Sequence, residues 1–285
     1  MKRRLFLAGG GALAAAGLWR ARSLASEGSG SDFALSGKLT QGGWARGKAP
    51  QGTRKLSFNG RPVRLADDLA FFVAFDRDAA PRGELIAEFA GGDATSGAFA
   101  ISPRAWQIEH IPLGPKPGTP PNEEFARRRN AELEQINAAR AIDHAVNGWR
   151  QGFIWPVFGR ISGRFGSQRI YNGTPGAYHS GLDIATGASG TPFVAPADGV
   201  VTLAADSPFT LEGKLLMIDH GMGLNSAFLH CSSHAVKEGD TVRQGQFIGR
   251  IGMTGRATGP HLHWSIKWRD FRLDPLLFTG AMPQH

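Results

Sequence analysis

Six of the nine histidines fall between residues 179 and 263, in segments that also carry groups able to bind a metal or move a proton. His179 precedes Asp183 by four positions in Tyr178-His179-Ser180-Gly181-Leu182-Asp183-Ile184-Ala185. The surrounding residues do not read as a helix, so the two side chains must converge through a turn that runs into a strand. Thr258 to Ile266 also reads as a turn feeding a strand. Side chains alternate across a strand, so His261 and His263 share one face and Leu262 takes the other. By the same alternation, a strand from Asn225 to Cys231 places Phe228 and His230 together and turns Cys231 away. Two imidazoles and a carboxylate make three ligands. Three protein ligands leave a fourth position for water in catalytic zinc chemistry, so the pattern points to hydrolysis. Spacing alone leaves open which of His261 and His263 meets the metal.

The elements that must position these groups are mainly β. The chain has 285 residues with 39 glycines, 17 prolines, 41% apolar and 20% charged residues, a turn-rich composition that excludes disorder and coiled coil as the main architecture. Residues 34–112 alternate short apolar runs with turn signals, among them Asn59-Gly60, and predict a small N-terminal β-sandwich. Trp44 and Trp106 are expected in its core. Four prolines in residues 113–121 make a stiff linker. Residues 122–152 form a helical connector of one or two helices: Asn122 offers an N-cap, and Leu133, Ile136, Ile142, Val146 and Trp149 recur at helical spacing. Arg127-Arg128-Arg129 reads as its solvated face. Residues 153–280 return to short strands and form a C-terminal antiparallel β-sheet domain holding the candidate site. The lone cysteine, Cys231, rules out an intramolecular disulfide and is expected to be a small buried apolar residue.

The net charge of +8 is concentrated at the start of the chain. Lys2, Arg3, Arg4, Arg20 and Arg22 leave 32 − 5 = 27 basic against 24 acidic residues after position 25, so the charge does not argue for nucleic acid. Lys2-Arg3-Arg4, the apolar run Leu5 to Leu18 and Ser23-Leu24-Ala25 read as a signal peptide over residues 1–25. Arg3-Arg4-Leu5-Phe6-Leu7 matches the twin-arginine pattern, which implies a periplasmic protein; an ordinary secretory leader is the alternative. The apolar run is short for a bilayer span, so an integral membrane protein is not expected once the leader is cleaved; an uncleaved leader that stays as an anchor is the alternative.

From Gly159 to about Leu277 the chain resembles the lysostaphin/LytM-type zinc metallopeptidases. The motifs that carry the resemblance are His179-Ser180-Gly181-Leu182-Asp183-Ile184, Gly190 to Val201, Ile218-Asp219-His220-Gly221, Phe228-Leu229-His230 and Gly255 to His263. The resemblance implies an endopeptidase that cuts peptide cross-links of peptidoglycan. It implies Zn²⁺ held by His179, Asp183 and His263, with His230 and His261 as catalytic residues. Phe228 stands where a Tyr is frequent, and a missing hydroxyl in the substrate pocket is the expected consequence. His220 is read as support for the fold, and His110, His144, His234 and His285 as ordinary structural or surface histidines. Two other readings compete: a catalytically silent module that controls a cell-wall hydrolase partner, and a wall-binding protein that recognises peptide or sugar through its N-terminal domain. The first is set against three filled ligand positions. If the N-terminal domain covers the groove, removal of residues 26–121 should raise hydrolysis.

Overall fold

Asn59 and Gly60 both adopt positive φ, 47° and 75°, and turn the strand Thr53–Phe58 back into Arg61–Val63 with Phe58 opposite Arg61. Two consecutive left-handed residues match the right-handed strand twist, which is why Asn-Gly hairpins are favoured. Thr53–Phe58 pairs next with Arg82–Phe89, and that strand with Ala94–Ala100. A second sheet joins Ser36–Lys38, Trp44–Lys48 and Ala70–Ala74. Phe58, Phe75 and Phe99 meet with ring centroids 5.8–6.0 Å apart and close this N-terminal core. The computed structural model describes residues 27, 28, 30–112 and 122–283. The leader and the proline-rich stretch 113–121 lie outside the described residues.

The C-terminal sheet is antiparallel. In spatial order it runs Arg160–Gly163, Leu182–Ala185, Leu262–Trp268, Leu224–His234, Lys214–Asp219, Gly199–Ala204 and Thr241–Val242. Phe271–Leu273 continues along the same edge of Leu262–Trp268 that Leu182–Ala185 occupies further up. One face of this sheet packs Phe193, Phe228, Trp264 and Ile266 into a core that also contains Phe33, Phe71, Phe72 and Phe75 of the N-terminal sheets.

Trp44 and Trp106 join the two regions. Trp44 donates from Nε1 to the Leu277 carbonyl at 3.2 Å and lies 5.4 Å from the Phe278 ring. Trp106 packs so closely over Gly166 that a Cβ there would run into the indole, and the φ of +80° at Gly166 independently favours glycine. Arg77 donates to the Gly166 carbonyl between the Trp106 and Tyr178 rings. Arg104 reaches the buried Asp274 carboxylate at 2.8 Å. The strand Ile108–Ile111 pairs in parallel with Gln168–Tyr171, so a sheet also crosses the junction. Removing residues 26–121 would therefore strip core and sheet partners from the C-terminal region. The expected gain of hydrolysis on truncation is replaced by an expected loss of folding.

Asn122 caps the helix Glu123–Ala141 by accepting from Phe125 N at 2.8 Å. The helix ends at Ala141, so the periodic reading through Ile142, Val146 and Trp149 spans a break. Leu133 and Ile142 are exposed, whereas Glu132, Ile136 and Ala139 are buried, and Trp149 is buried in a separate turn, Gly148–Arg150. Ile136 and Ala139 pack on Leu203, Met217 and Ala227, on the face of the sheet opposite the shared core. Arg129 is not simply solvated: it grips both carboxylate oxygens of Glu212 at 2.6 and 2.8 Å and also meets Glu132. Among the described residues no helix is long and apolar enough to cross a membrane.

Two consequences are measurable. Denaturant unfolding should show one transition for both sheet regions. Arg104→Ala, which leaves the Asp274 charge buried without its partner, should lower stability by about 3 kcal/mol; two separable transitions would contradict the shared core. His220 is fully buried and neutral, donating from Nδ1 to the Asp198 carbonyl at 2.8 Å and accepting at Nε2 from Ser226 at 2.9 Å. Burial pushes its pKa down to about 4. The unfolded chain binds a proton that the folded chain refuses, so this contribution is complete above the ordinary histidine pKa and is lost as pH falls towards about 4. It amounts to about 3 kcal/mol. Comparing His220→Gln with the parent between pH 7 and 4 should show a flatter stability profile in the variant.

Candidate metal centre

Asp183 and His263 are direct cross-strand partners, so strand pairing alone places a carboxylate beside an imidazole on one face. His179 enters from the turn before that strand, held by its backbone to Ser167 and Gly166. Two glycines keep the approach open. A Cβ on Gly181 would sit 2.6 Å from His263 Nε2, and one on Gly163 would collide with the Asp183 carboxylate.

His179 Nε2, Asp183 Oδ1 and His263 Nδ1 converge on one point. Their separations are 3.1 Å for His179 to Asp183, 3.2 Å for His179 to His263 and 2.8 Å for His263 to Asp183. Bonds of about 2.1 Å in a tetrahedron put ligand atoms about 3.4 Å apart, so this triangle has the size of one face of a zinc site. The donor chemistry fits too. His179 Nδ1 faces the Arg164 carbonyl at 3.1 Å, so the neutral ring carries its hydrogen there and leaves a lone pair on Nε2, whereas the protonated ring also donates from Nε2 to Asp183. Burial opposes the charge on Asp183, but hydrogen bonds to His179 and His263 outweigh it and hold the carboxyl well below the usual range. Burial lowers His263, whereas Asp183 outweighs burial at His179 and raises it. These three residues form the only such donor cluster among the described residues.

His261 and His230 stand next to this triangle. His261 Nε2 lies 3.8 Å from Asp183 Oδ1, and its Nδ1 is pinned by the Gly259 carbonyl at 2.8 Å. The His230 ring is 4.8 Å from that of His261, with Nδ1 pinned by the Thr254 carbonyl at 2.9 Å. All five candidate side chains are thus brought together.

His230 reaches this place by a route that alternation does not predict. Its φ is +64°, and the register with Lys214–Asp219 slips between Phe228 and Cys231. This bulge breaks the period of two, so Phe228 and Cys231 both enter the shared core while His230 turns to the ligand face. Phe228 is fully buried between Phe193 and Trp264. A hydroxyl at position 228 would enter the core, so no substrate contact is lost there. Cys231 is buried as expected, and burial pushes its thiol up to about 12. The carbonyls of Arg164, Thr254 and Gly259, which orient the imidazoles, have no side-chain signature in a sequence. Among the other histidines, His144 binds Asp219 at 2.9 Å and His110 lies on an exposed strand, while His285 is outside the described residues.

Residues 177–275 match the model of Peptidase family M23. Over 108 residues the chain is 41% identical to the peptidoglycan DD-endopeptidase ShyA of Vibrio cholerae, covering 38% of this chain and 24% of that protein. Over 128 residues it is 37% identical to the DD-carboxypeptidase/endopeptidase Mpg of Neisseria meningitidis, covering 45% of this chain and 29% of that protein. The chain thus spans about a quarter of the length of these curated relatives. A Pseudomonas aeruginosa crystal structure described as a candidate peptidase M23 superposes with a TM-score of 0.66 at 29% identity, covering 86% of this chain and 96% of that one. Residues 177–275, which hold the paired strands, the donor triangle and the two flanking imidazoles, are a peptidase M23 domain.

Proposed function

We propose that the protein is a zinc-dependent endopeptidase that hydrolyses peptide cross-links of peptidoglycan in the cell envelope. The observation that carries this reading is the triangle of His179 Nε2, Asp183 Oδ1 and His263 Nδ1, each pair about 3 Å apart, on a domain related to peptidoglycan DD-endopeptidases. His179, Asp183 and His263 would hold Zn²⁺. Bound there, zinc would supply a Lewis acid that polarises the amide carbonyl and acidifies water. The residues 1–25 leader accounts for export, by the twin-arginine route, to the periplasm. The domain boundaries at 34–112, 122–152 and 153–280 are kept as functional units in this reading.

The protein's own groups divide the proton work. Carbonyls fix the Nδ1 hydrogen of His230 and His261, leaving Nε2 as the nitrogen that exchanges protons in each ring. Burial lowers the His230 pKa, helped by His261 and His263, so its imidazole is neutral at neutral pH and competent as a base. Hydrolysis forms one C–O bond and breaks one C–N bond. The water proton goes to an imidazole Nε2, and the leaving amine takes a proton from one.

Purified mature protein should contain one zinc per chain and release peptides from purified sacculi, and His179→Ala should lose both. Zinc without release would point to another substrate, and no zinc would favour the silent module that regulates a partner hydrolase. His230→Ala and His261→Ala should keep the metal while kcat falls by about 100-fold or more, the size of a lost acid–base group. Loss of zinc in either variant would recast that residue as a ligand.

A further inference from the structure

The face that carries His263 continues along the same strand through Ser265 to Lys267. Lys267 lies directly opposite Arg272 on one side and Asn225 on the other. Arg140, in the last turn of the helix that packs over this face, is the third cation within electrostatic reach. Like charges placed directly opposite destabilise a sheet. None of the three cations forms an ion pair with a carboxylate among the described residues. Arg140 Nε and Nη1 are shut off from solvent without a hydrogen-bond partner, and so is the Oδ1 of buried Asn225.

The neighbouring acids answer this charge only in part, Glu212 acting on Arg140 and Asp270 and Asp76 on Lys267 from a distance. Glu212 spends both oxygens on Arg129. Asp76 accepts from Arg77 N, from the Tyr178 hydroxyl and from Arg272 N, and Asp270 is exposed in the turn between the strands. Burial, followed by Arg272, pushes Arg140 down to about 10; burial, then Arg140 and Arg272, pushes Lys267 down to about 8. A fold gains nothing from such a cluster, whereas an anion seated in it would satisfy the guanidinium and remove the repulsion.

We propose that Arg140, Lys267 and Arg272 form a subsite for a carboxylate of the peptide substrate, about 13 Å along the strand from His263. A planar carboxylate suits the fork of Arg272, which lies over the Tyr178 ring at 5.5 Å, next in the chain to the ligand His179. The subsite rests on the endopeptidase reading for its ligand: peptide stems present carboxylates at fixed spacing from their amides. Arg140 and Lys267 supply half-buried charges, and Arg272 presents an exposed one.

The test titrates the full mature chain, loaded with zinc, with a diaminopimelate-containing tetrapeptide and with the same peptide fully amidated, by calorimetry. The acid should bind at least about tenfold more tightly than the amide. Lys267→Met and Arg272→Gln should each erase that difference while keeping the zinc. Each removes one like charge, so its unfolding midpoint should stay level or rise, which separates lost recognition from lost folding. Equal binding of acid and amide by the parent, or undiminished discrimination in both variants, would overturn the subsite. So would saturable binding of inorganic phosphate in the absence of any preference for the acid. Hydrolysis of cross-linked dimers is followed separately: failure of the parent to cleave sinks the endopeptidase reading and leaves the binding comparison to decide the subsite, while a raised KM at unchanged kcat in the variants supports it.

Discussion

In the neutral tautomers that suit a metal, three lone pairs aimed at one point repel one another, and the C-terminal domain is arranged to hold them there. Asp183 and His263 are fixed by strand register, so neither can withdraw without breaking the pairing of Leu182–Ala185 with Leu262–Trp268. His179 is fixed by a carbonyl behind its Nδ1 and by the backbone of the preceding turn. The opposite face of the same strands buries Trp264, Phe228 and Ile266. The free energy that holds the triangle together thus comes from core packing on the far side of the sheet, not from the polar groups themselves. That is the arrangement expected of a preformed cation site, in which little remains to be ordered when the metal arrives.

The same constraint explains the neighbouring polar network. Behind the sheet, the Trp264 indole donates to the Ser226 hydroxyl, which is hydrogen-bonded in turn to buried His220. His220 closes the chain on the Asp198 carbonyl. Every polar atom in this line has a partner, so the network locks the central strands against sliding, and a slip of one residue would send His263 to the core face. The N-terminal sheets add to this rigidity through Trp44, Trp106 and Arg104, which tie them to the segments before and after the ligand strands.

Much of this was legible in the sequence because it depends on local periodicity. Alternation at Leu262 put His261 and His263 on one face, and Asn59-Gly60 marked a hairpin, since both signals are set by backbone geometry within a few residues. His230 was harder. Its presentation depends on a left-handed residue in mid-strand, and a histidine carries no mark of that conformation as a glycine does. The end of the helix is hidden for a related reason. Ile142, Val146 and Trp149 keep the apolar spacing, but Ile142 already has extended backbone, with φ −72° and ψ 132°, and tertiary packing of Trp149 overrides the period. The intimacy of the two β regions was hidden as well, because Gly166 beneath Trp106 is a contact between residues 60 positions apart.

Charge placement differs between the two ends of the helix that packs on the sheet. Near the start of the helix, Arg128 and Arg129 meet carboxylates, and Glu132 and Glu212 close the helix onto the sheet. At the other end of the same helix, Arg140 approaches Lys267 and Arg272 with no carboxylate seated among them. The helix dipole favours a cation in the last turn, but it does not give the Arg140 Nε and Nη1, shut off from solvent, the partners they lack. The asymmetry lies along the strand that carries His263, and under the proposed carboxylate subsite it would give a bound peptide one preferred direction past the His179, Asp183 and His263 cluster.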